Sequence, residues 1–219
     1  MHLAKSRAAT PPAHLGASFF LGDPRAVAQA LLGKLLMRDD GRAARLVEVE
    51  AYLGLDDPGS HAFRGPTPRA SIMFGPPGRL YVYFSYGVHW CANIVCGPEG
   101  QASAVLLRAA QPVAGLEQMR AARAHGRALV RDRDLCRGPG RLTEAFGIDK
   151  QQNGLDLTAT NPAPVLWVAD DGGGLEANIV ATPRVGLSVT RGADLPWRYV
   201  VAGSPWVSAT RRTAPLEQG

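Results

Sequence analysis

Arg45-Leu46-Val47-Glu48-Val49-Glu50-Ala51-Tyr52 is the stretch on which the reading of this chain turns. Strand side chains point to opposite faces in turn, so Leu46, Glu48, Glu50 and Tyr52 share one face and Val47, Val49 and Ala51 the other. Two carboxylates and a tyrosine on one strand face are unusual for plain core. A carboxylate on a mostly apolar strand can activate water, since burial raises its basicity and the strand fixes its aim. The plain alternative is an exposed glutamate on an edge strand. On spacing alone, Glu48 and Glu50 are equal candidates.

Upstream, Asp39-Asp40-Gly41 is a hairpin turn signal that makes Lys34–Arg38 the partner strand. Asp23-Pro24 opens a helix as N-cap and first helical residue, Val27, Leu31 and Leu32 form its apolar face, and Gly33 ends it. Before it, residues 1–16 read as a flexible arm. Downstream, residues 54–79 are rich in Gly and Pro, and a loop of that length inside a domain is usually functional or disordered. Leu80–Ser85 and His89–Val95 are strands joined by a tight turn at Tyr86-Gly87. Ser103–Ala109, Leu155–Leu157, Val165–Val168, Ile179–Val185 and Arg198–Val201 are further strands, and Gly115–Ala124 and Pro139–Phe146 are helices. With no internal repeat or linker, the expectation is α+β: one strand-rich mixed domain over 17–210 with peripheral helices, then a flexible tail at 211–219.

The 219 residues, 46% hydrophobic, suffice to bury a core. Lys and Arg number 24 against 19 Asp and Glu, a net charge of +5 that hints at a polyanionic partner. Its distribution says more. Residues 59–110 carry Arg64, Arg69, Arg79 and Arg108 against the single acid Glu99, and Lys5, Lys34 and Lys150 are the only lysines. Guanidinium suits phosphate through its planar fork. Cys91, Cys96 and Cys136 are odd in number and lack C-x-x-C spacing, which argues for reduced, buried thiols rather than disulfides or zinc. No signal peptide or membrane span is read, so the expected setting is cytoplasmic and nucleoid-associated. No phosphate loop, dinucleotide fingerprint, zinc-protease or serine-hydrolase motif is present, and the histidines have no metal-ligand spacing, so no metal or cofactor is expected.

Four of the five tyrosines, Tyr52, Tyr81, Tyr83 and Tyr86, fall in or next to these segments with His61. Stacked rings hold a base that has left the helix, although tyrosines also fill ordinary sheet surfaces. Tyr86, at a hairpin tip beside Gly87, has little core to enter and can wedge into a base stack. Asn93 can read a base edge, and Arg108, closing an apolar strand, can hold a phosphate or orient a carboxylate. Gly138-Pro139-Gly140 reads as a simple turn.

Together the segments Val47 to Gly54, Thr67-Pro68-Arg69, Leu80 to Tyr83, Tyr86-Gly87, Asn93-Ile94, Ala104 to Ala109, Arg184-Val185-Gly186 and Gly203 to Ser208 resemble the alkyladenine (3-methyladenine) DNA glycosylase family. The likeness runs in order from about Phe19 to Ser208. It implies that family's strongly curved antiparallel sheet, not the helix-hairpin-helix glycosylase fold. It also implies monofunctional excision of alkylated or deaminated purines from double-stranded DNA by a monomer without cofactor or lyase step. By this resemblance Glu50 is the general base, and Arg108 and the Val185 carbonyl hold the attacking water. Tyr52 stacks on one side of the flipped base with His61 and Tyr83 on the other, and the His61 amide contacts the base edge. Asn93 disfavours the 2-amino group of guanine, Tyr86 enters the minor groove, and Arg69 and Met73 line the DNA. Arg64, in the same basic loop, is a further DNA-binding candidate. The rival reading is a non-catalytic minor-groove or RNA-binding module, which would use the same arginines but give Glu50 no task.

Overall fold

The computed structural model describes residues 11–124, 130–173, 175 and 178–208; residues 1–10 of the expected arm, His125 and the expected tail lie outside them. Sheet pairing begins early. Ala13–His14 (β1) joins the sheet, and the short helix Ala17–Phe20 (α1) buries Phe20. The carboxylate of Asp23 accepts the Arg25 amide at 2.8 Å and caps Pro24–Leu31 (α2), whose Val27, Ala28 and Leu31 face the core. Leu35–Arg38 (β2) and Ala43–Tyr52 (β3) form the expected hairpin. After the long loop come Leu80–Ser85 (β4), His89–Cys96 (β5) and Ser103–Ala114 (β6), then the helices Leu116–Ala124 (α3) and Pro139–Phe146 (α4). Leu166–Asp170 (β7), Ile179–Thr182 (β8) and Arg198–Val201 (β9) complete the order.

Every pairing is antiparallel, in the order β1-β7-β2-β3-β6-β5-β4, with β9 on β3 and β8 on β9. The branch at β3 shapes the molecule. Along one edge β3 pairs with β6; along the other, β2 takes residues 43–45 and β9 takes 48–50. The sheet therefore curls into a half-barrel, as an α+β single domain with few helices. Three register shifts interrupt β3 against β6, and the two on either side of Glu48 leave Val47 and Arg108 out of the paired register. A bulge re-aims side chains. Here Leu46 and Val47 both join the apolar core, so Leu46 departs from the simple alternation.

Other departures have local causes. The strand expected over Ile179–Val185 stops at Thr182, because Pro183 has no N–H to continue the ladder. β6 runs on through Pro112, which pairs with Ala44 on β3; β5 accompanies β6 only from Ser103 to Leu106, so the missing donor costs no ladder there. Leu155–Leu157 is no strand: it follows Gly78–Leu80 through single hydrogen bonds and one bridge, Arg79 to Asp156. Gly138-Pro139-Gly140 is the first turn of α4, and a Cβ at Gly140 would stand 2.6 Å from the His89 ring, so glycine lets the helix lie against β5. The three cysteines are free and buried. Among the described residues no helix is long and apolar enough to cross a membrane, and no group of three His, Cys, Asp or Glu is placed to hold a metal ion.

Candidate active site

The two carboxylates of β3 have different surroundings. Both are fully buried on a central strand, which removes the exposed-edge alternative. Glu48 Oε1 accepts from Arg108 Nε at 2.9 Å, Arg198 Nε at 2.7 Å and the Ser208 hydroxyl at 2.8 Å, and Oε2 accepts the Ser208 amide at 2.6 Å. Donors thus engage both oxygens of Glu48, three of them on Oε1. Glu50 Oε1 accepts the Val185 amide at 2.8 Å and lies 3.3 Å from Arg108 Nη1; Oε2 accepts only the Tyr52 hydroxyl, at 2.9 Å. Oε2 thus keeps an open acceptor position. Glu50 lines a large cleft and Glu48 does not.

Charge follows the same division. Burial pushes the Glu48 carboxyl up, but Arg108, Arg198 and the Ser208 amide outweigh it and hold the group below its ordinary range. Burial also works against the Arg108 cation, and Glu50 and Glu48 more than offset it, so Arg108 binds its proton more tightly than usual. Tyr52 is raised well above an ordinary phenol by burial and by the Glu50 charge, so it remains a donor to Glu50.

The cleft, about 910 Å³ in volume, brings together nine of the residues singled out in the sequence. Glu50, Arg108 and Val185 meet there with Tyr52, His61, Tyr83 and Asn93, and Arg69 and Tyr86 also line it. His61 meets Tyr83 edge-on at 4.5 Å, and its Nδ1 is hydrogen-bonded to the Tyr81 hydroxyl at 2.9 Å. Desolvation among these rings, with the Arg69 and Arg191 cations, pushes the His61 imidazole down to about 4. Arg69 lies 4.9 Å over the Tyr83 ring. Asn93 donates its side-chain amide to the Tyr81 carbonyl at 3.1 Å. Tyr86 stands at the hairpin tip, 87% exposed, with φ +49° beside Gly87 at +67°.

Two candidates lie elsewhere. Met73, expected to line DNA, is buried in a small cluster with Ala62, Ala70 and Tyr81, because its short helical turn directs an apolar side chain inward. Arg64 is exposed on the loop and does not line the cleft.

Sequence reading also passed over groups that the fold gathers here. Arg184, quoted above without a role, forms a buried bidentate pair with Asp57 and lies 4.6 Å from the Tyr52 ring centre and 5.0 Å from that of Trp197. Arg198 and Ser208 complete the shell of Glu48, some 150 positions away in sequence; only the recurrence of these residues within the matched segments marked Arg184 and Ser208 at all. Arg191, Arg137 and Arg141 extend the cleft wall with positive charge.

A curled antiparallel sheet offering a buried carboxylate among clustered rings in an arginine-lined cleft has the layout of a DNA glycosylase outside the helix-hairpin-helix class. The chain belongs to the methylpurine-DNA glycosylase family, whose sequence profile matches residues 18–205. It is 52% identical over 204 residues to a protein of Burkholderia lata provisionally named a 3-methyladenine DNA glycosylase, covering 92% of this chain and 95% of that one. Proteins under the same name from Koribacter versatilis and Frankia casuarinae are each 47% identical, over 91% and 90% of this chain and 95% and 92% of theirs.

Proposed function

We propose that this protein is a monofunctional glycosylase that turns an alkylated or deaminated purine out of duplex DNA and hydrolyses its N-glycosidic bond, leaving an abasic site. The observation that carries the reading is Glu50: a buried carboxylate, oriented by Tyr52, the Val185 amide and Arg108, with an acceptor position open on Oε2 in a ring-walled cleft. In this reading Glu50 takes a proton from a water whose oxygen bonds to C1′, and the C1′–nitrogen bond breaks with its electron pair leaving on the base. Arg108 and the Val185 carbonyl hold that water.

A cationic lesion such as 3-methyladenine, for which the relatives are named, leaves neutral and needs no acid; hypoxanthine must gain a proton as it departs. Extraction, stacking and presentation of water are therefore the main tasks. Tyr52 covers one face of the base, and His61 and Tyr83 the other. With its imidazole depressed to about 4, His61 is neutral near pH 7 and sets no cation against a cationic purine. Asn93 disfavours the guanine 2-amino group. Tyr86 fills the gap left in the stack, and Arg69 and Arg64 meet the DNA backbone. Among the described residues no lysine lines the cleft, which supports hydrolysis without a Schiff base. The protein acts as a cytoplasmic monomer on double-stranded DNA.

Incubation with a duplex carrying one hypoxanthine, followed by alkali, tests the reading. A break at the lesion is expected. An intact strand with a mobility shift would instead mean a binding module, for which the buried, donor-oriented Glu50 has no use.

A further inference from the structure

Glu48 is a fully buried acid that the excision chemistry does not use. A buried ion pair is weak as a source of stability, since apolar residues of similar volume often serve as well. Its contacts suggest a different use. Arg108 sits at a register shift of β6 and bridges the two acids, with Nε on Glu48 Oε1 at 2.9 Å and Nη1 3.3 Å from Glu50 Oε1. Glu48 is in turn clamped from the far side by Arg198 and by both donors of Ser208. Ser208 ends the segment Gly203–Ser208, which has no part in the reaction proposed above. The preceding carbonyl, Val207, accepts from Arg137 of the cleft wall at 2.7 Å.

We propose that Glu48 is a positioning residue for Glu50: held by Arg198 and the Gly203–Ser208 strap, it fixes the Arg108 guanidinium against the reacting carboxylate. The inference rests on the excision reading. Glu48 and Glu50 balance Arg108 and Arg198, so the network is neutral overall. Without the Glu48 charge, a net positive charge remains beside Glu50 and Arg108 is free to turn. Both changes make Glu50 a poorer acceptor for the proton of water. Among the described residues the other titratable groups around Glu50 are Tyr52 on β3, Tyr83 on β4, Cys91 on β5 and Arg184 after β8, whereas the hydrogen bonds to Glu48 come from Arg108, Arg198 and Ser208.

The test is single-turnover release of hypoxanthine from a duplex across about pH 5 to 9, with DNA affinity and melting temperature measured alongside. Glu48→Gln keeps the shape and removes the charge. Its rate at neutral pH is expected to fall about 10- to 100-fold with affinity within about threefold. The acidic limb of its pH profile should move to lower pH, because the leftover positive charge favours an ionised Glu50. A folded Glu48→Gln protein whose limb stays in place, whether its rate is normal or reduced, overturns the proposal, since a structural role alone leaves the limb unmoved. Should that variant not fold, Ser208→Ala decides. Excision slowed about threefold or more at an unchanged melting temperature supports the strap, and a wild-type rate overturns it. Wild-type protein that releases no base from the duplex sinks the excision reading itself, and this inference with it.

Discussion

Asp57 and Arg184 form a bidentate ion pair at 2.6 and 2.8 Å with neither side chain exposed. The pair ties three parts of the cleft together. Asp57 also accepts the Gly59 and Leu53 amides at the root of the loop that carries His61. Arg184 donates to the Ala51 carbonyl on β3, covers the back of the Tyr52 ring, and precedes the residue whose amide meets Glu50. Asp57→Ala leaves a buried guanidinium without its counter-charge. A loss of about 3–5 kcal/mol in urea unfolding is expected, well above the effect of a surface change. A loss under 1 kcal/mol would show that the loop is held by other contacts.

Glu50→Gln preserves shape and removes the proton acceptor. Binding to a hypoxanthine duplex should stay near wild type while single-turnover excision falls by about 10²- to 10⁴-fold. Base release at the wild-type rate would place the water-activating group elsewhere.

Tyr86 holds a positive φ that a ring-bearing residue adopts only at a cost, and its side chain is almost wholly exposed. The turn is closed by the Val88 amide on the Ser85 carbonyl at 2.9 Å, and Asn-Gly suits two successive positive φ values better than Tyr-Gly. Tyr86→Asn is therefore expected to raise stability by about 0.5–1 kcal/mol while lowering excision from duplex DNA. Because a wedge has nothing to do on a single strand, excision from single-stranded substrate should change much less. Equal losses on both substrates would count against the wedge.

His61 supplies a pH dependence with a definite sign. Its folded value, about 4, lies below the ordinary 6.5, so the unfolded chain takes up the proton first as pH falls. The stability associated with neutral His61 is complete above about 6.5 and is lost progressively down to about 4. Urea midpoints of wild type and His61→Asn should therefore diverge from their neutral-pH difference across that window, with the wild type falling more steeply. Parallel curves would mean an imidazole that titrates normally.

Much of the frame follows from local pattern. Asp23 and Pro24 set the start of α2, the positive-φ turn at Tyr86-Gly87 joins β4 to β5, and β4, α4 and β9 occupy the spans their residues predict. These elements rest on caps, turn chemistry and two-residue alternation, which act between near neighbours. The failures are nonlocal. Leu155–Leu157 has the residues of a strand but only one bridge to pair with, and β6 extends past its expected end because β3 remains beside it.

The site divides in the same way. That two acids and a tyrosine share one strand, and that rings cluster in the segments around it, is legible in the residues alone, since alternation and turn chemistry are properties of a few adjacent positions. Spacing does not separate the acids, the family resemblance points to Glu50, and chain closure gives the two different surroundings. Arg198 and Ser208 arrive from 150 and 160 positions away to clamp Glu48, and the Val185 amide, released from its strand at Pro183, comes 135 positions to steady Glu50. Which carboxylate meets the cleft and which meets a clamp of arginines and Ser208 depends on groups brought by chain closure, and no window of neighbouring residues contains them.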